Sequence, residues 1–133
     1  MSVLTEKDYK ILNVILTYCK KVEKIVHRID SDYDTFINDS IYQDSISMNL
    51  LQIGESVSKF SEEYINTSKD EMNWRAIKGM RNLFAHAYDS MDLDKIWETA
   101  VDDIPVLEEY CINILQNQNN SLDTDFDGMS MSM

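Results

Sequence analysis

The feature that most constrains the fold is a helical repeat of apolar residues near the start of the chain. Apolar side chains recur there at spacings of three and four, the period of one face of an α-helix. They are Tyr9, Leu12, Ile15, Leu16, Cys19, Val22, Val26 and Ile29. Thr5, a good helix-capping residue, has Asp8 three positions later. The pattern predicts a first helix over about residues 5–30.

Similar periodicity predicts further helices. We expect a second long helix over about 39–65, a third from near 70–73 through residue 88, and a fourth after residue 90. Pro105 should kink or break the chain before a last helical piece ending near 116. Three Gly and one Pro in 133 residues argue against an all-β fold. The prediction is an all-α, antiparallel four- to five-helix bundle over residues 1–116, followed by a flexible, acidic, Met-containing tail over 117–133.

The cysteines and the lack of long apolar stretches indicate where in the cell the protein acts. Cys19 and Cys111 lie among apolar residues far apart in sequence, which favours small core residues over a disulfide framework. No stretch approaches the ~18 apolar residues of a membrane helix, and the first residues lack the basic and apolar regions of a signal peptide. We therefore expect a cytoplasmic protein with no membrane contact.

The charges are unevenly distributed along the chain. The net charge of −12 opposes a nucleic-acid partner at long range. Residues 1–29, however, carry six basic side chains against three acidic ones, and Arg75, Lys78 and Arg81 lie close together. Residues 91–133 hold ten acids and one base, Lys95. A local positive site is compatible with this distribution.

One segment, Arg81-Asn82-Leu83-Phe84-Ala85-His86-Ala87-Tyr88, sets groups suited to phosphate chemistry into an apolar helical pattern. Histidine exchanges a proton near neutral pH, and arginine presents a charged planar fork that suits phosphate. RNA cleavage by the ribose 2′-hydroxyl needs a base, an acid and a cation beside the phosphorus. Arg81 and His86 are therefore the candidate catalytic residues. The candidate supporting or substrate-binding residues are Asn82, Tyr88, Arg75 and Lys78.

The two candidate catalytic residues do not share a face of one regular helix. At about 100° per residue, Arg81 and His86 lie about 140° apart. Either the helix ends before His86, or two copies of the chain build a common site, and we favour a symmetric dimer. A simpler interpretation leaves Arg81 on the surface and His86 at the rim of the core. With His27 as the only other histidine and no paired ligand spacing, we expect no metal site and no cofactor.

The motif Arg-x4-His-x-Tyr resembles the signature of HEPN domains, and specifically of the HepT-like toxins of prokaryotic toxin–antitoxin pairs. The flanking sequence is also similar to that family over roughly residues 5–116. The similar stretches are Trp74–Met80, Leu51–Glu55, Ile96-Trp97 and Ile104–Leu107.

The resemblance implies a dimeric all-α ribonuclease that acts without metal, with Arg81 and His86 catalytic and Asn82 supporting. It implies a type VII-like pair in which the partner is a MntA-type minimal nucleotidyltransferase antitoxin. That enzyme attaches AMP to the motif tyrosine, here Tyr88, and the added bulk and charge would block the place of the substrate phosphate.

Two other functions stay open on the sequence alone. The chain could be a non-catalytic helical partner of a nucleotidyltransferase. Alternatively, the polar motif could only cap a helix and hold a dimer together.

Overall fold

The computed structural model describes residues 4–85 and 90–130, and describes side chains over 4–83 and 93–117. Within these residues every element of regular secondary structure is a helix, and turns join most of the helices. The elements are α1 (Glu6–Arg28), α2 (Tyr33–Ile37), α3 (Ser40–Val57), α4 (Glu62–Ser68), α5 (Trp74–Lys78), α6 (Arg81–Ala85), α7 (Ser90–Glu98), a π-helical segment (Thr99–Asp103) and α8 (Ile104–Ser130).

Three long helices enclose the core, because α1 packs against both α3 and α8. The start of α1 meets the end of α3, where Asp8 binds Ser61, so these two helices are antiparallel. Glu23 of α1 interacts with Glu108 of α8, while Cys19, earlier on α1, interacts with Cys111, later on α8. Helix α8 therefore also runs antiparallel to α1. The predicted all-α antiparallel bundle is confirmed.

The apolar stripe of α1 forms one wall of this core, as its period predicts. Leu12, Ile15, Cys19 and Val22 are fully buried. Burial of each of the three aliphatic side chains among them stabilises the fold by about 1.5–3 kcal/mol relative to exposure. Cys19 and Cys111 are free and buried, which confirms their assignment as core residues. Burial raises the pKa of the Cys111 thiol to about 12, so it stays neutral.

A buried carboxylate ties the start of α1 to the turn between α3 and α4. The oxygens of Asp8 accept hydrogen bonds from the Ser61 amide at 2.8 Å, the Ser61 hydroxyl at 2.7 Å and the Thr5 hydroxyl at 2.7 Å. Burial alone would raise the pKa of Asp8, but these hydrogen bonds hold it below its usual value. One charged side chain therefore fixes two helix starts, since Thr5 and Ser61 are the N-caps of α1 and α4.

The second predicted helix is wrong in its length. Helix α3 ends at Val57, and the chain turns before it resumes as α4 at Glu62. The Ser61 hydroxyl accepts a hydrogen bond from the Tyr64 amide at 3.1 Å, which caps α4 in place of a continuous helix. Helix α2 packs onto the bundle through Phe36, which is buried with its ring centroid 5.0 Å from that of Trp97.

Of the kink or break predicted at Pro105, the break does not occur, since α7 continues into α8 without a loop. The chain widens over Thr99–Asp103, where the amide of Ile104 bonds to the carbonyl of Thr99, five residues back. Pro105 has no amide hydrogen to donate to the preceding turn. The helix therefore changes form just before the proline instead of stopping.

Helix α8 reaches Ser130, past the end predicted near residue 116. Residues 105–127 contain no Gly, and the polar residues after 116 are compatible with a helix even without an apolar period. A separate role for residues 117–133 as a tail stays a prediction. Over the described part of the chain, no helix has the length and apolarity to cross a membrane.

Two carboxyl groups meet between α1 and α8. Burial, together with the hydrogen bond to Glu108, raises the pKa of Glu23 to about 7. One carboxylate oxygen of Glu108, Oε2, is buried with no hydrogen-bond partner among the described residues. The pair therefore shares a proton over the pH range in which an isolated glutamate would be ionised.

We expect Glu23→Gln to reduce the pH dependence of stability. The folded pKa of Glu23, about 7, lies above its unfolded value of 4.5, so its contribution is complete below pH 4.5 and is lost as pH rises through about 7. A glutamine amide donates to Glu108 at any pH. Above pH 7 the free energy of unfolding of Glu23→Gln should exceed that of wild type by about 1 kcal/mol. This value is smaller than the pKa shift alone would give, because solvent screens the partly exposed carboxyl.

Urea denaturation across this pH range measures the effect. Glu6→Gln, which removes an exposed acid from the same helix, is the control and should follow the wild-type curve. If Glu23→Gln and Glu6→Gln show the same pH dependence, the shared proton is not present.

Candidate functional site around Arg81

The segment before Arg81 is held by a buried tryptophan. Trp74 is 4% exposed, and its indole nitrogen donates a hydrogen bond to the Ser68 hydroxyl at 2.8 Å. Its ring contacts those of Phe60 at 4.9 Å and Tyr110 at 5.5 Å between centroids. The Asn73 side chain caps α5 by accepting from the Ala76 amide at 3.1 Å. Helix α5 is therefore fixed against α4 and α8.

The third predicted helix is wrong as a single element, because the chain breaks between α5 and α6. The amide of Met80 bonds to the carbonyl of Ile77, and the amide of Asn82 to that of Gly79. These bonds span three residues instead of four, which tightens the backbone into a turn. Met80, at the turn, is buried. Arg81 consequently begins a new helix instead of lying in the middle of a long one.

A glycine of α3 fixes the position of this turn. A Cβ atom on Gly54 would lie 2.7 Å from the backbone nitrogen of Arg81 and 2.9 Å from the carbonyl oxygen of Lys78. Only glycine allows two backbones to approach this closely. Gly54 therefore lets the segment that carries Arg81 pack directly against the backbone of α3.

The Arg81 side chain points to the surface, where Glu55 is its acidic partner among the described side chains. Its guanidinium nitrogen lies 3.9 Å from a carboxylate oxygen of Glu55, and the two side chains are 41% and 47% exposed. A pair this long and this exposed contributes little to stability. The guanidinium therefore stays accessible to an anion. When no anion is bound, its position next to Glu55 keeps it close to α3.

The sequence interpretation missed this role of Glu55. The only available signal was its position directly after Gly54, which identifies the side of α3 that faces the motif. The position of Glu55 relative to Arg81 depends on the break at residues 79–80, which the apolar spacing does not reveal.

Of the predicted site residues in the motif, Arg81 and Asn82 belong to the described part of the chain, and His86 and Tyr88 do not. Asn82 is exposed next to Arg81 at the start of α6. His86 and Tyr88 lie outside the described residues. Their predicted roles, and the relation of His86 to Arg81, stay predictions.

Arg75 and Lys78 lie on the exposed side of α5, three residues apart, and line a groove of about 490 Å³. The groove has an apolar floor from Phe60, Ile65 and Trp74. Among the described side chains, no carboxylate forms a salt bridge with Arg75 or Lys78. Both cations are therefore available to a phosphate, and Arg81 lies one turn of chain beyond Lys78.

Within the described part of the chain, no three His, Cys, Asp or Glu side chains are arranged to hold a metal ion. The described side chains around α5 and α6 offer exposed cations on a backbone that packing holds in place. Such groups bind phosphates and stabilise the negative charge that develops during phosphoryl transfer.

A family model described as ribonuclease HepT-like matches residues 15–114. The match includes Gly54, both halves of the broken helix, and the motif from Arg81 to Tyr88. This chain belongs to the ribonuclease HepT-like family. The resemblance drawn from the motif and its flanks is thereby confirmed.

Individual relatives agree with this assignment. A protein of Caldanaerobacter subterraneus subsp. tengcongensis, provisionally named as an RNase, is 30% identical over 108 residues, 80% of this chain and 93% of the relative. A Thermococcus cleftensis protein named as a probable ribonuclease HepT is 28% identical over 104 residues, 78% of this chain and 90% of the relative.

A longer relative from Methanocaldococcus jannaschii is 29% identical over 119 residues, which are 86% of this chain. The match spans only 52% of that protein, whose name joins a gamma-glutamylcyclotransferase to a provisional RNase. No solved structure matches the chain.

For this HepT-like chain we expect Gly54→Ala to cost about 2–3 kcal/mol of unfolding free energy. The added methyl group meets backbone atoms of Lys78 and Arg81 that cannot move separately from their helices. Gly79→Ala is the matched control, because its nearest neighbour, the Ala76 carbonyl, lies at 3.2 Å and its backbone is right-handed helical. That change should stay within about 1 kcal/mol of wild type. Equal losses in urea denaturation would contradict the close contact.

Proposed function

We propose that this chain is a metal-independent endoribonuclease and the toxin of a type VII-like toxin–antitoxin pair. The single observation that carries the proposal is the family match across α1 to α8, which includes the Arg-x4-His-x-Tyr motif. The exposed guanidinium of Arg81, on a backbone fixed by Gly54, supports it further. The substrate is RNA, since the names of the relatives refer to RNases.

In the proposed reaction the ribose 2′-oxygen attacks the adjacent phosphorus. A base takes the 2′-hydroxyl proton, the new oxygen–phosphorus bond forms, and the bond to the 5′-oxygen breaks. An acid returns a proton to that 5′-oxygen, leaving a 2′,3′-cyclic phosphate and a free 5′-hydroxyl. Histidine supplies both proton-transfer roles near neutral pH, and arginine stabilises the doubly charged phosphorus centre. We assign these roles to His86 and Arg81, with Asn82 as a support.

We propose that the working site is shared by two copies of the chain. One copy offers a single motif histidine, whereas a base and an acid on opposite sides of the phosphorus are best supplied by two. A symmetric dimer that crosses near α6 supplies two copies each of His86 and Arg81. Arg81 and Asn82 are exposed at the start of α6, which leaves them free for such an arrangement.

We also propose that a MntA-type minimal nucleotidyltransferase neutralises the chain. In that step the Tyr88 hydroxyl attacks the α-phosphorus of ATP, loses its proton to a base, and pyrophosphate leaves. The AMP group adds a negative charge and bulk close to Arg81 in sequence. A substrate phosphate would then be repelled from the guanidinium.

The first test is cleavage of RNA by point variants. We expect His86→Ala and Arg81→Ala each to lower cleavage about 100-fold or more, because each removes a group that acts in the transition state. Unfolding free energies should stay close to wild type. Matched controls are His27→Ala and Arg28→Ala, which remove the same residue types from the exposed end of α1. EDTA should leave the rate unchanged.

Several outcomes would contradict this assignment. Cleavage retained by both motif variants would remove the catalytic roles, and loss of activity with EDTA would contradict metal independence. No product at any enzyme concentration, with a stable complex still formed with the nucleotidyltransferase, would favour the alternative of a non-catalytic binding partner.

The second test is the intact mass of the protein after incubation with its nucleotidyltransferase and ATP. We expect mass increments equal to one or more AMP groups, together with loss of cleavage. Tyr88→Phe should show neither change. Tyr33→Phe, at an exposed tyrosine of α2, is the control and should be modified like wild type. Full modification of Tyr88→Phe would assign the acceptor to another residue.

A further inference from the structure

A second group of basic side chains lies beside the groove of Arg75 and Lys78. Lys7, Lys10 and Lys59 line a neighbouring groove of about 530 Å³ together with Glu6 and Ile11. The turn between α3 and α4 contributes to both grooves, because Ser58 and Phe60 line one and Lys59, between them in sequence, lines the other. We call these basic residues the cationic strip: Lys7, Lys10, Lys59, Arg75 and Lys78.

Buried contacts fix both ends of the strip. Asp8 lies between Lys7 and Lys10, and its hydrogen bonds to Ser61 hold the start of α1 against the turn that carries Lys59. Arg75 is fixed through its neighbour Trp74, which is buried in the aromatic cluster. The five cations therefore have defined origins on three separate elements.

The charge of the strip is opposite to that of the whole chain. Its grooves contain five basic side chains and two acidic ones, Glu6 and Glu62, while the chain as a whole carries −12. One strip cation, Lys10, pairs with Glu6 at 3.4 Å, and those two side chains are 73% and 85% exposed, so the pair is weak. Among the described residues no salt bridge involves the other four.

The strip leads to the candidate catalytic arginine. Lys78 and Arg81 both contact Gly54 through their backbones, and Arg75 lies one helical turn before Lys78. Lys59 lies on the turn that also contributes to the groove of Lys78, and it lines one groove with Lys7 and Lys10 of α1. A polyanion bound at Arg81 would meet further cations along the strip.

We propose that Lys7, Lys10 and Lys59 bind backbone phosphates of an unpaired RNA strand at a distance from the cleaved bond. This inference rests on the proposed function and assigns the substrate path of the same site. An unpaired strand is required because the 2′-oxygen, phosphorus and 5′-oxygen must come into line, which a regular duplex does not allow. The contacts are to phosphates, so they add affinity without base preference.

The test is the salt dependence of binding to a short, fluorescently labelled, single-stranded 2′-O-methyl RNA, which cannot be cleaved. Each phosphate contact contributes about 0.7 to the slope of log affinity against log salt concentration for single strands. We expect the triple variant Lys7→Gln, Lys10→Gln and Lys59→Gln to reduce the slope by about 2. At low salt its affinity should fall by at least tenfold.

The chain offers a matched control at the other end of α1. The triple variant Lys20→Gln, Lys21→Gln and Lys24→Gln makes the same change in net charge with three exposed lysines of the same helix. It should keep a slope close to wild type. A general effect of net charge would lower both slopes equally, and that result would overturn the inference.

The remaining outcomes separate the inference from the proposed function. If wild type cleaves RNA and the Lys7, Lys10 and Lys59 variant keeps the wild-type slope, only the inference fails. If that variant keeps the wild-type slope but binds the nucleotidyltransferase more weakly than wild type does, the strip is a contact surface for that protein instead. If wild type neither binds nor cleaves any RNA tested, the proposed function fails and the inference fails with it.

Discussion

The candidate site depends on a contact between two backbones at Gly54. Helix α3 and the turn before α6 approach to a distance that leaves no room for a Cβ atom. Trp74 anchors the preceding helix in an aromatic cluster, so the turn is fixed from both directions. The backbone of Arg81 is therefore held by packing, while its guanidinium remains at the surface. This combination suits a phosphate ligand, because the backbone is already in place and only the arginine side chain has to be ordered when the anion binds.

The candidate site differs from the remainder of the molecule in the sign of its charge. The chain is strongly acidic overall, and α8 carries no basic residue within its bounds. The cationic strip is thus the favourable approach for a polyanion, while the acidic surfaces repel it. The carboxylate of Asp8 contributes indirectly, because it positions the lysines on either side of it against the α3–α4 turn. A buried acid is in this way part of a basic surface.

Periodicity predicted the parts of the fold in which burial and local structure agree. The stripe of α1 has few alternatives, and its bounds are close to the prediction. The turn after Val57 escaped detection because Val57, Phe60 and Tyr64 keep a helical spacing through it. The break after Lys78 was hidden in the same way by Met80. Both interruptions depend on long-range contacts, with Asp8 in one case and Gly54 in the other, which lie far away in sequence.

The π-helical segment has a consequence for the tolerance of this chain to insertions and deletions. One continuous rod presents Trp97 to α2 and, further on, Glu108 and Cys111 to α1. The π turn takes up one residue more than an ordinary helical turn, with little change in the direction of the side chains that follow. Losing one residue between Thr99 and Asp103 would therefore leave an ordinary helical turn with the buried face of α8 still towards the core, whereas losing one residue from the α-helical part of α8 would rotate everything after it by about 100°. A stretch that cannot be told from ordinary helix in the sequence is thus a place where the chain length can change by one residue.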